Sequence, residues 1–238
     1  MDHARTRSEK EALGRLEWRI HKVVSVIIRA AHVVAALFTE ELALALRQPG
    51  RADRAPDHRL LVLPAHGRRF GFAAGVGLDA EAVRRLDAYG RTQEHGRASN
   101  VRFVWEVAQL ITEHRGRFEP ALEVLGRGRA AFAFVANCDP YTYAGRIPIR
   151  AAPEAQFELG LDLVAPRTVS PASIPRLLTY ALRGRGQATA GDVLYAHDVD
   201  RIEIVCDQPM PLQVDGEDIG DATSALFEAE RDAVLVLN

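Results

Sequence analysis

From Leu60 onward the chain is a succession of short apolar runs separated by gaps of hairpin length, and this rhythm constrains the fold more than any other feature. The runs are LLVLP, RRFGFAAG, PALEVL, AAFAFVAN, FELGLDLV, DVLYAHDV, RIEIVC, PLQV and AVLVLN. Helical periodicity interrupts them over Asp79–Gly90, Asn100–Gly116 and Ser173–Leu182. Strands outnumber helices and do not alternate with them one for one, so a parallel α/β sheet is disfavoured. The expectation is a mainly β protein with inserted helices, an antiparallel β-sandwich or barrel-like domain over residues 60–238. Residues 1–50 read as a helical arm, because Leu13, Leu16, Ile20, Val23, Ile27, Ala31, Val34 and Phe38 recur every three to four places. Residues 51–59 read as a linker within the Pro-, Gly- and Arg-rich stretch QPGRADRAPDHR.

The turn near the end of the chain carries the first chemical question. Asp215-Gly216 between PLQV and the acidic residues that follow is a strong short-range hairpin signal, since Gly accepts positive φ and Asp tolerates it. The same stretch offers a pair of carboxylates, Asp215 and Glu217, so it is also a candidate seat for a general base. From Asp198 to the end, eleven acids face only Arg201 and Arg231, which fits either a cation site or a solvated acidic face.

Other motifs are weaker. AGVGLDA, with Gly75, Gly77 and Asp79, has the local form of a dinucleotide-binding loop, but the element after its helix is another helix, so the βαβ unit is missing. Read without a ligand, it is a glycine turn in which Asp79 caps the following helix. RGRGQATAG lacks the Lys-Ser/Thr pair of a phosphate loop and reads as a flexible turn or a basic lip for an anionic substrate. There is no HExxH, no paired histidine spacing suited to zinc and no G-x-S-x-G; His197 reads as structural. Cys138 and Cys206 lie in apolar runs, where buried free thiols are usual. With no CxxC and no secretory leader, a reducing cytoplasm is the expected compartment. Val23 to Phe38 is too short to span a bilayer and is broken by Arg29 and His32. The net charge of −2 gives no whole-chain bias toward nucleic acid.

Taken in order, several of these pieces resemble one family. RRFGFAAGVGLDAEAV, FVANCDPYTYAGRIPIRAAP, FELGLDLV and PMPLQVDGEDIG follow each other as corresponding motifs do in the diacylglycerol kinase and sphingosine kinase superfamily of lipid kinases. The matching positions are Phe70, Gly75, Gly77 and Asp79; Asn137, Tyr143, Gly145 and Pro153; Gly160 and Asp162; and Asp215, Gly216 and Glu217. The resemblance runs from about Arg68 to Asn238. It implies a C-terminal β-sandwich that shapes a lipid cleft beside a nucleotide lobe carrying a G-G-D-G-T motif. It further implies that Glu217 is the general base, with Asp215 beside it, that Asn137, Tyr143 and Gly145 are substrate-binding, and that Gly75, Gly77 and Asp79 are cofactor-binding. ATP and Mg²⁺ are the implied cofactors. No G-G-D-G-T occurs in this sequence, so the ATP site is expected outside the chain. Leu159, after Glu158, stands where many bacterial members have an Asp tied to a structural Mg²⁺, so no metal ligand is assigned. The expected partners are a lipid substrate, a peripheral membrane surface, and a second copy or a separate nucleotide lobe. The alternative is a non-catalytic lipid- or partner-binding β-sandwich.

Overall fold

The computed structural model describes residues 59–60, 63–65, 67–90, 100–144, 147–231 and 234–235. The helical arm and its stripe from Leu13 to Phe38 lie outside the described residues, as does Gly145.

The fold is mainly antiparallel β, with three α-helices among the described residues. The strands are β1 (Arg59–Leu60), β2 (Leu63–Ala65), β3 (Arg68–Phe70), β4 (Ala73–Val76), β5 (Leu122–Val124), β6 (Gly128–Ala130), β7 (Ala133–Ala136), β8 (Thr142–Ala144), β9 (Ile147–Ile149), β10 (Leu161–Pro166), β11 (Val193–Val199), β12 (Arg201–Val214), β13 (Glu217–Glu228) and β14 (Val234–Leu235). The helices are α1 (Leu78–Gly90), α2 (Asn100–Glu113) and α3 (Ile174–Arg183). Ten strands form one large, nearly barrel-like sheet whose main path is β11-β10-β7-β4-β12-β13-β2-β3, with β5 joining β12 and β6 joining β5.

Strand β12 is the seam of this sheet. It pairs with β13 along its length, with β5 through Ile204–Cys206 and with β4 through Leu212–Val214. Its register slips between Val205 and Met210 and again between Pro211 and Gln213. Pro209 and Pro211 lie in that stretch, and a proline cannot donate to the ladder. RIEIVC and PLQV, two runs in the sequence, are therefore one interrupted strand.

Period-two alternation sorts side chains onto two faces. Val135, Leu161, Leu163, Leu194, Ile204, Leu212, Val214 and Phe227 all point into one closed interior. Phe132 and Phe134 point to the opposite face, where Ile174, Leu177 and Leu178 of α3 and Ile111 of α2 cover them. Helix α3 is well delimited. Pro175 sits in its first turn, and Gly184 caps its end in the left-handed region with its N–H on the Tyr180 carbonyl.

The acidic stretch after Asp198 resolves into ion pairs. Arginines from earlier in the chain meet it: Arg84 binds Asp218 and Asp221, Arg69 binds Glu230, and Arg129 binds Asp207. Among the described residues no group of three or more His, Cys, Asp or Glu could hold a metal ion. Nor is any described helix long and apolar enough to cross a membrane.

Candidate functional site

The hairpin expected at Asp215-Gly216 is present. Val214 pairs with Glu217, and the two loop residues have φ of 48° and 79°, the positive pair that a two-residue I′ connection requires. Asp215 does more than turn the chain. Its carboxylate accepts the backbone N–H groups of Gly71, Phe72 and Ala73 at 2.8, 2.9 and 3.1 Å. Asn137, fully buried, grips the same β3–β4 loop from the other side. Its Nδ2 donates to the Gly71 carbonyl and its backbone N–H donates to that of Phe72, both at 2.9 Å. Two residues matched by sequence thus converge on one loop, and that loop presents an exposed Phe72 edge-on to Phe157.

Glu217 lies just past the turn, with 63% of its side chain exposed, and pairs with Arg68. It does not line the cavity described next.

On the helix-covered face the side chains leave a cavity of about 230 Å³. Its walls are Phe103, Val104, Val107 and Ile111 from α2 and Ile174, Leu177, Leu178 and Ala181 from α3, and its floor is Phe132, Phe134, Val164 and Val193 from the sheet. The spacing on α2 is that of one helical face. Aromatic side chains carry much of the floor: Phe132 and Phe134 meet at 5.4 Å between centroids, and Phe134 and Tyr141 at 5.2 Å.

Polar groups gather at one end. Across β7, β4 and β12 the register sets Phe134, Gly75 and Gln213 in one row on the cavity face. Gly75 has no side chain, and the Asp79 carboxyl from the first turn of α1 drops into the slot this leaves. A methyl group at Gly75 would overlap that carboxyl. Asp79 is 2% exposed. Tyr141 donates its hydroxyl to Asp79 Oδ2, and Gln213 Nε2 donates to the same oxygen at 2.9 Å. Asp79 Oδ1 has no hydrogen-bond partner in the structure. Burial pushes the Asp79 carboxyl up to about 6, against the pull of Tyr141, Gln213 and the backbone N–H groups of Ala80 and Asp79. Burial, with the Asp79 charge beside it, holds the Tyr141 phenol well above its ordinary value.

The glycines of AGVGLDA are therefore accounted for by packing. Asp79 fills the space at Gly75. Gly77, at φ 97°, would set a β-carbon 2.9 Å from Met210 Cε and Phe132 Cβ. Neither glycine leaves an open cradle for a phosphate. Tyr143, on β8, is exposed and does not line the cavity, whereas Tyr141 does. Asp162 is fully buried and receives His197 Nδ1 at 2.9 Å and the Asp198 N–H at 3.1 Å, a structural pairing for His197. Burial pushes the Cys138 thiol up to about 11, which removes thiolate chemistry there, and both cysteines are free and buried. Two residues of the polar end, Tyr141 and Gln213, carry no motif signature. Gln213 does stand out as an amide inside an apolar run, where burial demands a partner.

No family model matches the sequence, and no curated protein matches it. The fold resembles solved structures. One is a diacylglycerol kinase from Bacillus anthracis str. Sterne, with a TM-score of 0.44, 14% identity, and coverage of 74% of this chain and 52% of that one. Two diacylglycerol kinase-like structures from the same organism give TM-scores of 0.47, with 17% and 18% identity over 74% of this chain. They are covered to 55% and 56%. The chain spans about half the length of the solved proteins it resembles.

Proposed function

We propose that this chain is the lipid-holding half of a diacylglycerol-kinase-like lipid kinase. On this reading the apolar cavity takes an alkyl chain, and Asp79 with Tyr141 meets the hydroxyl-bearing end. The observation that carries the reading is the combination of an apolar cavity with a buried carboxyl at one end whose Oδ1 has no partner. A buried acceptor without a donor costs stability unless a ligand supplies one. A lipid hydroxyl is a donor of the right size and sits at the end of an apolar chain. The ordered motifs of the sequence supply the reaction class. By the same resemblance Glu217 would accept the attacking hydroxyl's proton once a nucleotide lobe completes the site; in this chain alone it lies outside the cavity and faces Arg68. ATP and Mg²⁺ would enter with a separate nucleotide lobe, since the sequence contains no G-G-D-G-T.

A second reading is a lipid-binding domain without transfer chemistry. It is favoured by Glu217 facing Arg68 outside the cavity rather than lying within it.

Native mass spectrometry of the full chain with n-octanol and longer alcohols tests the shared part. The expected result is one alcohol per chain, weakened at least about tenfold by Val107→Trp, which fills the cavity. No retained alcohol would overturn both readings. Adding a G-G-D-G-T-bearing nucleotide lobe, Mg-ATP and a diacylglycerol separates them: phosphorylated lipid supports the kinase, and binding without product supports the lipid-binding domain.

A further inference from the structure

The cavity and the Asp215–Gly216–Glu217 turn are separate places joined by one side chain. Gln213 is 3% exposed and lies between them on β12. Its Nε2 donates to Asp79 Oδ2 at 2.9 Å and to the Tyr141 hydroxyl oxygen at 3.1 Å. At the other end of the same amide, Oε1 accepts the Gly216 N–H at 2.9 Å. The chemistry fixes this orientation. A flipped amide would aim its oxygen at a carboxylate and its NH₂ at a backbone N–H, losing the bonds to Asp79 and Gly216. The donors run in one direction, from Gly216 N–H to Gln213, from Gln213 to Asp79 and Tyr141, and from Tyr141 to Asp79. In a buried chain of this kind each bond polarises the next, and no member can rotate alone without orphaning another.

We infer that Gln213 is a positioning residue that ties the polar end of the cavity to the turn carrying Glu217. A group donating to Asp79 Oδ1 draws on the carboxyl that Gln213 also serves, and the amide plane passes that change to the Gly216 N–H, one residue before Glu217. Recognition of a headgroup and orientation of the turn are then one structural unit. The inference rests on the lipid reading above and adds to it a route by which the two ends communicate.

The test uses the full ¹⁵N- and methyl-labelled chain titrated with n-octanol and read by NMR at two places: the methyls of Val107 and Ile174 in the cavity wall, and the Gly216 amide. In the parent both places are expected to respond with the same midpoint. In Gln213→Leu the cavity methyls are expected to respond still, while the Gly216 response is lost. Gln213→Met, whose flexible thioether fills a similar volume, is the second variant should the first not fold. A parent whose cavity methyls respond while Gly216 does not would overturn the inference and leave the lipid reading standing. A Gly216 response that survives in the Gln213 variants would overturn it too. Silence at both places in the parent would remove the lipid reading and the inference with it.

Discussion

The two faces of the large sheet are built from the same strands by simple alternation, yet they end in different states. The interior face is closed. Leu161, Leu163, Ile204, Leu212 and Phe227 are at most 1% exposed and lie in one continuous cluster. The outer face, under α2 and α3, is lined by larger aromatic side chains and still leaves a cavity of about 230 Å³, with the Asp79 carboxylate and the Tyr141 phenol in its lining and the Gln213 amide bonded to both. Tight packing is the default of protein interiors. Its relaxation under α2 and α3, next to buried polar groups, is the contrast on which the lipid reading rests.

The sharpest way to break this contrast is to empty the closed face. Phe227 is fully buried and meets Phe70 edge-on at 6.2 Å, so Phe227→Ala should cost about 3–5 kcal/mol in urea unfolding. Phe134→Leu, beside the existing cavity, should cost about 1 kcal/mol, because its neighbours are not close-packed around it. Equal losses would mean that both faces serve stability alike.

The next effect concerns acid. The folded Asp79 carboxyl is raised from 3.8 to about 6, so between those values the folded state holds more protons than the unfolded one. Its contribution is present below pH 4 and is lost as pH rises through about 6, by about 3 kcal/mol in all. Urea midpoints for the parent and Asp79→Asn, measured from pH 4 to 7.5, should therefore diverge in that window. The asparagine variant gains relative to the parent as pH rises. Asp162, raised for the same reason of burial, is common to both proteins and cancels.

Asp215 comes third. Read from the sequence as a turn former, it should cost about 1 kcal/mol on replacement. Its three backbone partners raise the expected loss for Asp215→Ala to about 2 kcal/mol, with faster amide exchange confined to Gly71, Phe72 and Ala73. Glu217→Gln should move stability least, by under about 0.5 kcal/mol, since its pair with Arg68 is exposed. Turnover of a reconstituted kinase should fall about 10²-fold. A variant as active as the parent would leave the turn without a catalytic role.

What the sequence made legible follows from which signals are local. The three helices carry 3.6-residue periodicity and were readable to within a few residues. The Asp215-Gly216 hairpin announces itself through positive-φ chemistry. Strand β13 was not readable, because Glu217–Glu228 buries alanines and one phenylalanine where a strand signal needs valine and isoleucine, and its exposed positions are Glu217, Asp221, Thr223 and Ser224. The β8–β9 hairpin escaped for want of length. At the candidate site, the glycines and Asp79 of AGVGLDA resembled a phosphate loop by spacing alone. Only the register that sets Gly75 between Phe134 and Gln213 reveals that the space belongs to the Asp79 carboxyl. Tyr141 and Gln213 converge on it from strands and loops far apart in the chain, and no local pattern encodes that meeting.

The seam strand also sets a schedule for synthesis. Asp79 and Gln213 are 134 positions apart. At about 5–20 residues per second, roughly ten to thirty seconds separate the appearance of β4 from that of the β12 segment that pairs with it. During that interval β4, every residue of which ends up buried, has β7 as its sole eventual neighbour already made, and one row of its backbone groups is open. Such an edge is a template for other chains, and closing it late through pairings distant in sequence makes for folding on the slow side, in milliseconds to seconds. Yield from a cell should then depend on translation rate and holdase supply more than on the stability of the finished protein.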